Sequence, residues 1–261
     1  MKHCLYDVAR KYPQILMPIK EGIKNTEEYK NVVLRGEKCP YSLSFTMNSN
    51  DFLESVNTPA GQVEILSFFN REDFIHAVRA LGNKCEPVDV PDSTGAITIF
   101  GLNNWDKVNA GLDDYKDSLI ILSSGDYSNV TNTDVLNVTN GDVNLSKEEW
   151  TNNSILIRKY HELTHFVMRK LYPNDIMPIR DELIADMVGL IGAFKLFDKR
   201  LLKLFLGIEG EKYREGGRLQ NYEGGSIDNI SNINLMIDKL EELSKNYTSV
   251  NDVWDNIEKF I

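Results

Sequence analysis

Residues 161–165 of the sequence read His-Glu-Leu-Thr-His, and residues 182–186 read Glu-Leu-Ile-Ala-Asp. Two histidines four positions apart on a helix point their imidazoles at one spot, where they can hold a zinc ion. A zinc site of the catalytic kind takes three protein ligands and keeps one position open for water. We therefore predict that His161, His165 and Glu182 bind Zn²⁺.

Two further residues of these motifs have positions suited to supporting roles. Glu162 is turned slightly round the helix from the histidines, so it can reach a metal-bound water rather than the metal. Asp186 follows Glu182 by one helical turn, where it can hydrogen-bond a ligating histidine. Both motifs thus carry the residue types that metal-assisted hydrolysis requires.

The helical phase of residues 155–171 separates this polar face from an apolar one. On a helical wheel the two histidines share an arc of roughly 100° with Glu162 and two arginines, Arg158 and Arg169. A separate arc, expected to pack in the core, holds Leu156, Tyr160, Leu163, Val167 and Leu171. The predicted ligands therefore do not compete with the core for space.

A second predicted helix carries the remaining ligand on a face that also has small side chains. Glu182 and Asp186 share this face with two small residues, Gly189 and Ala193. Small side chains let two helices approach closely. Such an approach is what Glu182 needs in order to reach a metal held by the first helix.

The two motifs together resemble those of the gluzincin metallopeptidases, the thermolysin-like zinc peptidases. The resemblance covers about residues 155–195 and does not single out one family within that clan. It implies hydrolysis of a peptide bond, with His161, His165 and Glu182 as zinc ligands. It further implies that Glu162 is the general base and that Asp186 orients His161.

Counting histidines limits the choice of third ligand. The chain has four, and none follows His165, which excludes the metzincin pattern with its third histidine shortly downstream. His3 lies near an N-terminus expected to fray. His76 lies in a predicted helix and is expected to be a surface or packing residue. Glu182 remains the best candidate.

Composition indicates an ordinary globular protein of 261 residues, with 42% hydrophobic and 26% charged residues. The net charge of −10 and the lack of a basic block argue against nucleic acid as a partner. The sequence favours a cytoplasmic protein that does not associate with membranes. It has three widely spaced cysteines, no signal-like start and no apolar run long enough to cross a bilayer. The oligomeric state stays open.

Residue patterns along the chain predict an α+β protein. A mixed α/β region with a small sheet is expected over residues 1–125, and a mainly helical region that carries the zinc site over residues 126–261; together they are expected to form one compact unit. Strands are predicted at 41–47, 63–69, 96–101 and 118–123, and a helix at 72–81. Either 96–102 or 118–123 is expected to be a sheet edge that holds substrate by strand addition.

Residues 124–145 are rich in Ser, Asn, Thr, Asp and Gly and are predicted to form a long, mobile surface loop. Ser146-Lys-Glu-Glu149 has the pattern of a capping box that starts a helix. Helices are predicted at 146–171, 178–197, 200–206, 227–245 and 250–260.

A glycine-rich segment, Glu209–Gly225, is predicted to be a loop. Two interpretations stay open for it, a solvent-exposed flexible loop and a loop that supplies a further catalytic group. Peptide hydrolysis passes through a tetrahedral oxyanion, which a positioned donor stabilises. Since no histidine lies downstream, the candidates are Tyr213, Tyr222 and Arg218, together with Arg214.

The sequence thus favours a zinc peptidase of narrow specificity that acts on a peptide or protein inside the cell. Two other classes remain open. One is a non-catalytic zinc-binding protein with a regulatory or partner-binding role. The other is a helical protein in which the motif is accidental and which binds no stoichiometric zinc.

Overall fold

The computed structural model of the protein describes residues 3–222 and 229–261. The chain divides into two compact units, one formed by the residues up to Asn57 together with Gln62–Ser124, the other by Thr58–Gly61 and Gly125–Ile261. The first contains a small mixed sheet and the second is mainly helical. The predicted α+β class is therefore confirmed.

The first unit contains both helices and strands. Its elements are α1 (Leu5–Lys11), α2 (Glu27–Leu34), β1 (Phe52–Thr58), β2 (Gly61–Phe68), α3 (Arg71–Ala77), β3 (Ala96–Asn103), α4 (Trp105–Asn109) and β4 (Lys116–Ser123). The strands lie in the order β1-β2-β4-β3. Strand β4 is parallel to β2 and antiparallel to β3.

Strand β4 lies at the centre of the sheet because both of its faces are apolar. Leu119, Ile120 and Ile121 are fully buried, as expected for a continuous apolar run in a covered strand. The strands predicted at 63–69, 96–101 and 118–123 are thus confirmed. The proposal that 118–123 forms a sheet edge is wrong, since β4 pairs on both sides, whereas β3 is an outer strand of the described sheet.

The strand predicted at 41–47 does not form. The backbone N–H of Thr46 donates to both carboxylate oxygens of Asp73, at 3.0 and 3.1 Å, and Met47 adopts a φ of 58°. A side chain of α3 therefore takes the hydrogen bond that a neighbouring strand would have received. Alternation of polar and apolar residues indicated an extended chain but not its partner.

The helix predicted at 72–81 is present and places His76 as a packing residue. Asn70 caps α3 by accepting hydrogen bonds from the N–H groups of Glu72 and Asp73. A π-helical turn, Val78–Gly82, continues it. The ring of His76 packs edge-on against Phe45, with 4.7 Å between ring centroids. Its Nε2 is buried without a hydrogen-bond partner among the described residues.

His76 is expected to make the protein sensitive to acid. Burial lowers its pKa in the folded state, with Arg79 adding to the effect and Asp73 opposing it. A lowered folded-state pKa means that the contribution is present above the unfolded-state value of about 6.5 and is lost as the pH falls. Urea unfolding at about pH 7 and about pH 5 should show a smaller pH effect in His76→Phe than in the wild type, by at most about 1.4 kcal/mol per pH unit. The same pH effect in both proteins would contradict this expectation.

The second unit consists mostly of helices. Its elements are α5 (Asn132–Val138), α6 (Lys147–Leu171), α7 (Pro178–Phe194), α8 (Lys199–Leu206), β5 (Ile208–Glu209), β6 (Lys212–Tyr213), α9 (Ile230–Ser244) and α10 (Val250–Trp254). Among the described residues, no helix is both long enough and apolar enough to cross a bilayer.

The predicted capping box starts α6. The Ser146 side chain accepts from the N–H of Glu149, whose carboxylate accepts from the N–H of Ser146. The helix ends at Leu171, as predicted, but Leu171 itself is 43% exposed and does not pack in the core as expected. Helix α7 starts with Pro178 and stops at Phe194, three residues earlier than predicted.

Helices α6 and α7 pack closely where α7 carries glycine. A Cβ atom at Gly189 would lie 2.8 Å from the backbone oxygen of Ile157. Gly192 faces the ring of Tyr160 at a similarly short separation. The narrow face predicted for the second motif helix is thus present, and it brings Glu182 and Asp186 next to α6.

Residues 124–145 are not one long mobile loop. Thr131 and Asp134 form a capping box that starts α5, and Val130 and Val135 are buried. The indole N–H of Trp150 on α6 donates to the Val130 oxygen at 2.7 Å. Buried apolar residues and a hydrogen bond to α6 therefore hold this segment in place. Its polar composition did not indicate these contacts.

Downstream, the predicted glycine-rich loop contains the short hairpin β5–β6 and a 3-10 turn, Arg218–Asn221. Its last three residues, and the first two of the helix predicted at 227–245, lie outside the described residues. The helix predicted at 250–260 is shorter than expected, because α10 ends at Trp254 and a separate 3-10 turn, Ile257–Lys259, follows.

Candidate metal centre

Three ligand atoms converge between α6 and α7. The two Nε2 atoms of His161 and His165 are 3.1 Å apart. The Glu182 carboxylate lies 3.3 Å from the Nε2 of His161 and 3.2 Å from that of His165. Among the described residues these form the group of three side chains able to hold a metal ion. The side chains are partly accessible, at 9%, 13% and 23% exposure for His161, His165 and Glu182.

The separations suit a tetrahedral zinc ion. Zinc binds histidine nitrogen and carboxylate oxygen at 2.0–2.2 Å, so tetrahedral ligand atoms lie about 3.3 Å from one another. The short distance between two imidazole nitrogens has a physical explanation in the same terms. A cation shared by the two rings would account for it, as would a hydrogen bond from the N–H of one ring to the lone pair of the other.

The charges around the centre also favour a cation. Burial lowers the pKa of His161, but the hydrogen bonds and charges of Asp186 and Glu182 outweigh it and raise that pKa to about 10. Burial likewise raises the pKa of Glu182, and the two histidines outweigh it, holding the pKa far below its usual range. The centre thus has negative charge that either protons or a metal ion must balance.

Asp186 fixes the orientation of the first histidine. It is fully buried, and its Oδ1 accepts a hydrogen bond from His161 Nδ1 at 2.8 Å. A proton on Nδ1 leaves the lone pair of Nε2 directed at the cluster, which is the tautomer that a metal ligand requires. Burial would raise the pKa of Asp186, but Arg218 and His161 outweigh it and lower that pKa to about 2.

Tyr127 is a part of the centre that the sequence analysis missed. Its hydroxyl donates to Asp186 Oδ1 at 2.5 Å, and the side chain is 3% exposed. Two residues of α6 hold this segment in place. Ser154 Oγ accepts from the Tyr127 N–H at 3.1 Å, and the Arg158 guanidinium donates to the backbone oxygens of Gly125 and Asp126. The sequence signal was weak, since Tyr127 is a single aromatic residue in a polar stretch.

Arg218 and Tyr222, two of the predicted oxyanion candidates, do lie at the centre. The Arg218 guanidinium donates to Asp186 Oδ2 and lies 4.6 Å from the ring centroid of Tyr127 and 5.7 Å from that of Tyr222. Tyr222 hydrogen-bonds Glu182, and burial raises the pKa of its phenol well above the usual value. Both residues therefore contact the acidic groups of the centre.

Tyr213 and Arg214, the other two candidates, are engaged elsewhere. The Tyr213 hydroxyl donates to the Gly217 oxygen at 2.6 Å. The Arg214 guanidinium donates to the Leu204 oxygen at 3.1 Å. Their hydrogen bonds hold the turn after β6 against the end of α8 and do not involve the predicted metal ligands.

Glu162 lies on α6 one residue after His161, about 100° further round the helix, and is partly exposed. The remaining histidines lie in the first unit. His3 Nε2 is 2.8 Å from the Asn48 oxygen, and His76 packs against Phe45. Neither belongs to a group of three metal-binding side chains within residues 3–222 and 229–261.

The fold and the cluster define an α+β protein with a candidate metal centre on two packed helices. The chain belongs to a family of unknown function, DUF7005, whose model matches residues 3–113 and 111–259. Among curated proteins and among solved structures, none matches this chain.

Proposed function

We propose that this protein is a zinc-dependent peptidase in which His161, His165 and Glu182 hold the ion. The observation that carries the proposal is the convergence of the three ligand atoms to within 3.1–3.3 Å. A carboxylate also selects the metal-binding tautomer of His161. The resemblance to gluzincin metallopeptidases supplies the reaction, hydrolysis of a peptide bond.

Each residue has a definite task in this proposal. When bound, the zinc ion supplies Lewis acidity and lowers the pKa of a water molecule. Glu162 takes a proton from the attacking water and passes it to the leaving amine. Asp186 keeps the His161 ring in orientation, and Arg218 balances the Asp186 charge. Tyr222 remains the candidate donor to the oxyanion, since its hydroxyl lies at Glu182.

The proposed substrate is a peptide or protein, cut with narrow specificity in the cytoplasm. Cys39 and Cys85 are buried as free thiols and Cys4 is half-buried and unpaired, which favours a reducing compartment. The net charge of −10 favours neither nucleic acid nor an anionic membrane surface as a partner.

Metal analysis tests the centre directly. After dialysis, the wild type should contain about one zinc ion per chain, and Glu182→Ala should contain much less, because three protein ligands are the usual set for such a site. Glu258→Ala, which removes an exposed carboxylate from the same unit, is the matched control and should keep the metal. A wild type without zinc after reconstitution, or a Glu182→Ala variant that retains it, would overturn the proposal.

A further inference from the structure

A pocket of about 510 Å³ lies in the first unit, which contains none of the proposed metal ligands. Sites for small molecules usually have volumes of about 300–1,000 Å³. Helix α3 and the π-helical turn that continues it form one wall, and the extended segment 44–46 forms another. The pocket is therefore a candidate binding site that takes no part in the proposed metal chemistry.

The wall formed by α3 is a single face of the helix, two turns long. Glu72, Ile75, His76 and Arg79 line the pocket, and their spacing of three, four and seven positions places them on one face. An acidic residue thus stands at the start of this face and a basic residue at its end. Burial lowers the pKa of His76, so the ring between them is expected to be neutral at pH 7.

The opposite wall is a stretch of extended chain that runs along α3 in the opposite direction. Thr46 bonds Asp73 through its N–H at 3.0 Å, and one helical turn further on the Phe45 ring packs against His76. In an extended chain the N–H groups of alternate residues point to the same side, so the N–H of Ser44 should also face α3. No hydrogen bond joins the backbone of Ser44 to any other described residue.

The two charged ends of the α3 face have no ionic partner within residues 3–222 and 229–261. Glu72 is exposed, and its carboxylate accepts no hydrogen bond there. Arg79 donates through Nε to the Val88 oxygen at 2.9 Å, which leaves its two Nη groups for a ligand. The second acid of the pocket, Asp73, is already bonded by Thr46. A ligand with a cation at one end and an anion at the other would match these charges.

The dimensions of the pocket indicate the size of such a ligand. Seven helical residues separate Glu72 from Arg79, a rise of roughly 10 Å, and an extended chain of three residues spans roughly the same length. A cavity of about 150 Å³ holds the six carbon atoms of benzene. The pocket of about 510 Å³ thus has room for roughly twenty non-hydrogen atoms, which is the size of a small tripeptide.

We propose that this pocket binds a free peptide of about three residues. The N-terminal ammonium lies beside Glu72, the C-terminal carboxylate bonds the Nη groups of Arg79, and the peptide backbone pairs with Ser44. A central apolar side chain contacts the remaining lining residues, Ile19, Phe45 and Ile75. The inference does not rest on the proposed function, because this site requires no metal and cleaves no bond.

Calorimetry on the full-length protein tests the inference with the peptide Ala-Leu-Ala and two blocked forms of it. The C-terminal amide and the N-acetyl form each lack one terminal charge, so each should bind about tenfold more weakly or worse. Arg79→Gln should remove the difference between Ala-Leu-Ala and its amide. Glu72→Gln should remove the difference between Ala-Leu-Ala and its N-acetyl form.

Arg35→Gln is the matched control, since Arg35 is an exposed arginine of the same unit that does not line the pocket, and it should keep both differences. A zinc chelator should leave the affinity for Ala-Leu-Ala unchanged. Failure of Ala-Leu-Ala to bind, equal affinity of the wild type for all three peptides, or a preference over the amide that survives Arg79→Gln would overturn the proposal. Binding that is lost on chelation would place the peptide at the metal centre and would also overturn it.

Discussion

Glu162→Gln is expected to leave the zinc content unchanged and to reduce peptide hydrolysis by about 100-fold or more. Glutamine has nearly the same shape as glutamate but cannot take a proton from the attacking water. His161, His165 and Glu182, the proposed ligands, are untouched, so the metal should stay. Digestion of a peptide mixture, followed by mass spectrometry, measures the effect alongside metal analysis.

Glu148→Gln is the control for this prediction, because Glu148 is an exposed glutamate in the first turn of the same helix. It should keep both zinc and turnover. If Glu162→Gln hydrolysed peptides at the wild-type rate, Glu162 would not be the general base. Stoichiometric zinc in all three proteins, with no hydrolysis by any of them, would favour the non-catalytic zinc-binding class.

Gly189→Val is expected to lower the free energy of unfolding by about 3 kcal/mol, with Gly189→Ala showing a smaller loss. A Cβ at this position would lie 2.8 Å from the Ile157 oxygen, and backbone cannot move aside as a flexible side chain can. Alanine by itself favours a helix over glycine by about 1 kcal/mol, so any loss in Gly189→Ala reports the helix contact. Urea unfolding of the three proteins measures both effects.

Gly189→Val should also weaken zinc binding by about tenfold or more, because changes that disturb the orientation of metal ligands typically cost about 10–100-fold in metal affinity. Pushing α7 away from α6 moves Glu182 away from the two histidines. Gly125→Val is the control, because a Cβ at Gly125 has no neighbouring atom within 4 Å. Unchanged stability and zinc affinity in Gly189→Val would mean that the helices do not need their close approach.

The arrangement of helices α6 and α7 could be predicted because its causes are local. The spacing of His161 and His165 gives them one direction on α6, and the capping box at Ser146 determines where that helix begins. Glycine at position 189 permits the approach of α7. Each of these follows from helix geometry within a few residues.

Other parts depend on contacts between distant residues, which a single sequence does not reveal. Tyr127 reaches Asp186 over 59 positions. The extended segment at 41–47 bonds a carboxylate on α3 where a strand was expected. Helix α5 is different, because its capping box of Thr131 and Asp134 is visible in the sequence. The polar composition of the segment led to the prediction of a loop instead. Arg218 was predicted at the site, but its contact with Asp186 needed the folded chain.

The hydrogen bonds of Asp186 limit how the protein can be dissected. This one buried carboxylate receives donors from Tyr127, His161 and Arg218, three segments far apart in the chain. An excised fragment that contained only α6 and α7 would keep the His161 donor and lose those of Tyr127 and Arg218, and water would take their place on the carboxylate. The two motif helices therefore cannot be transferred to another protein without the segments that contact Asp186. A minimal piece for expression or grafting has to extend from before Tyr127 to beyond Arg218.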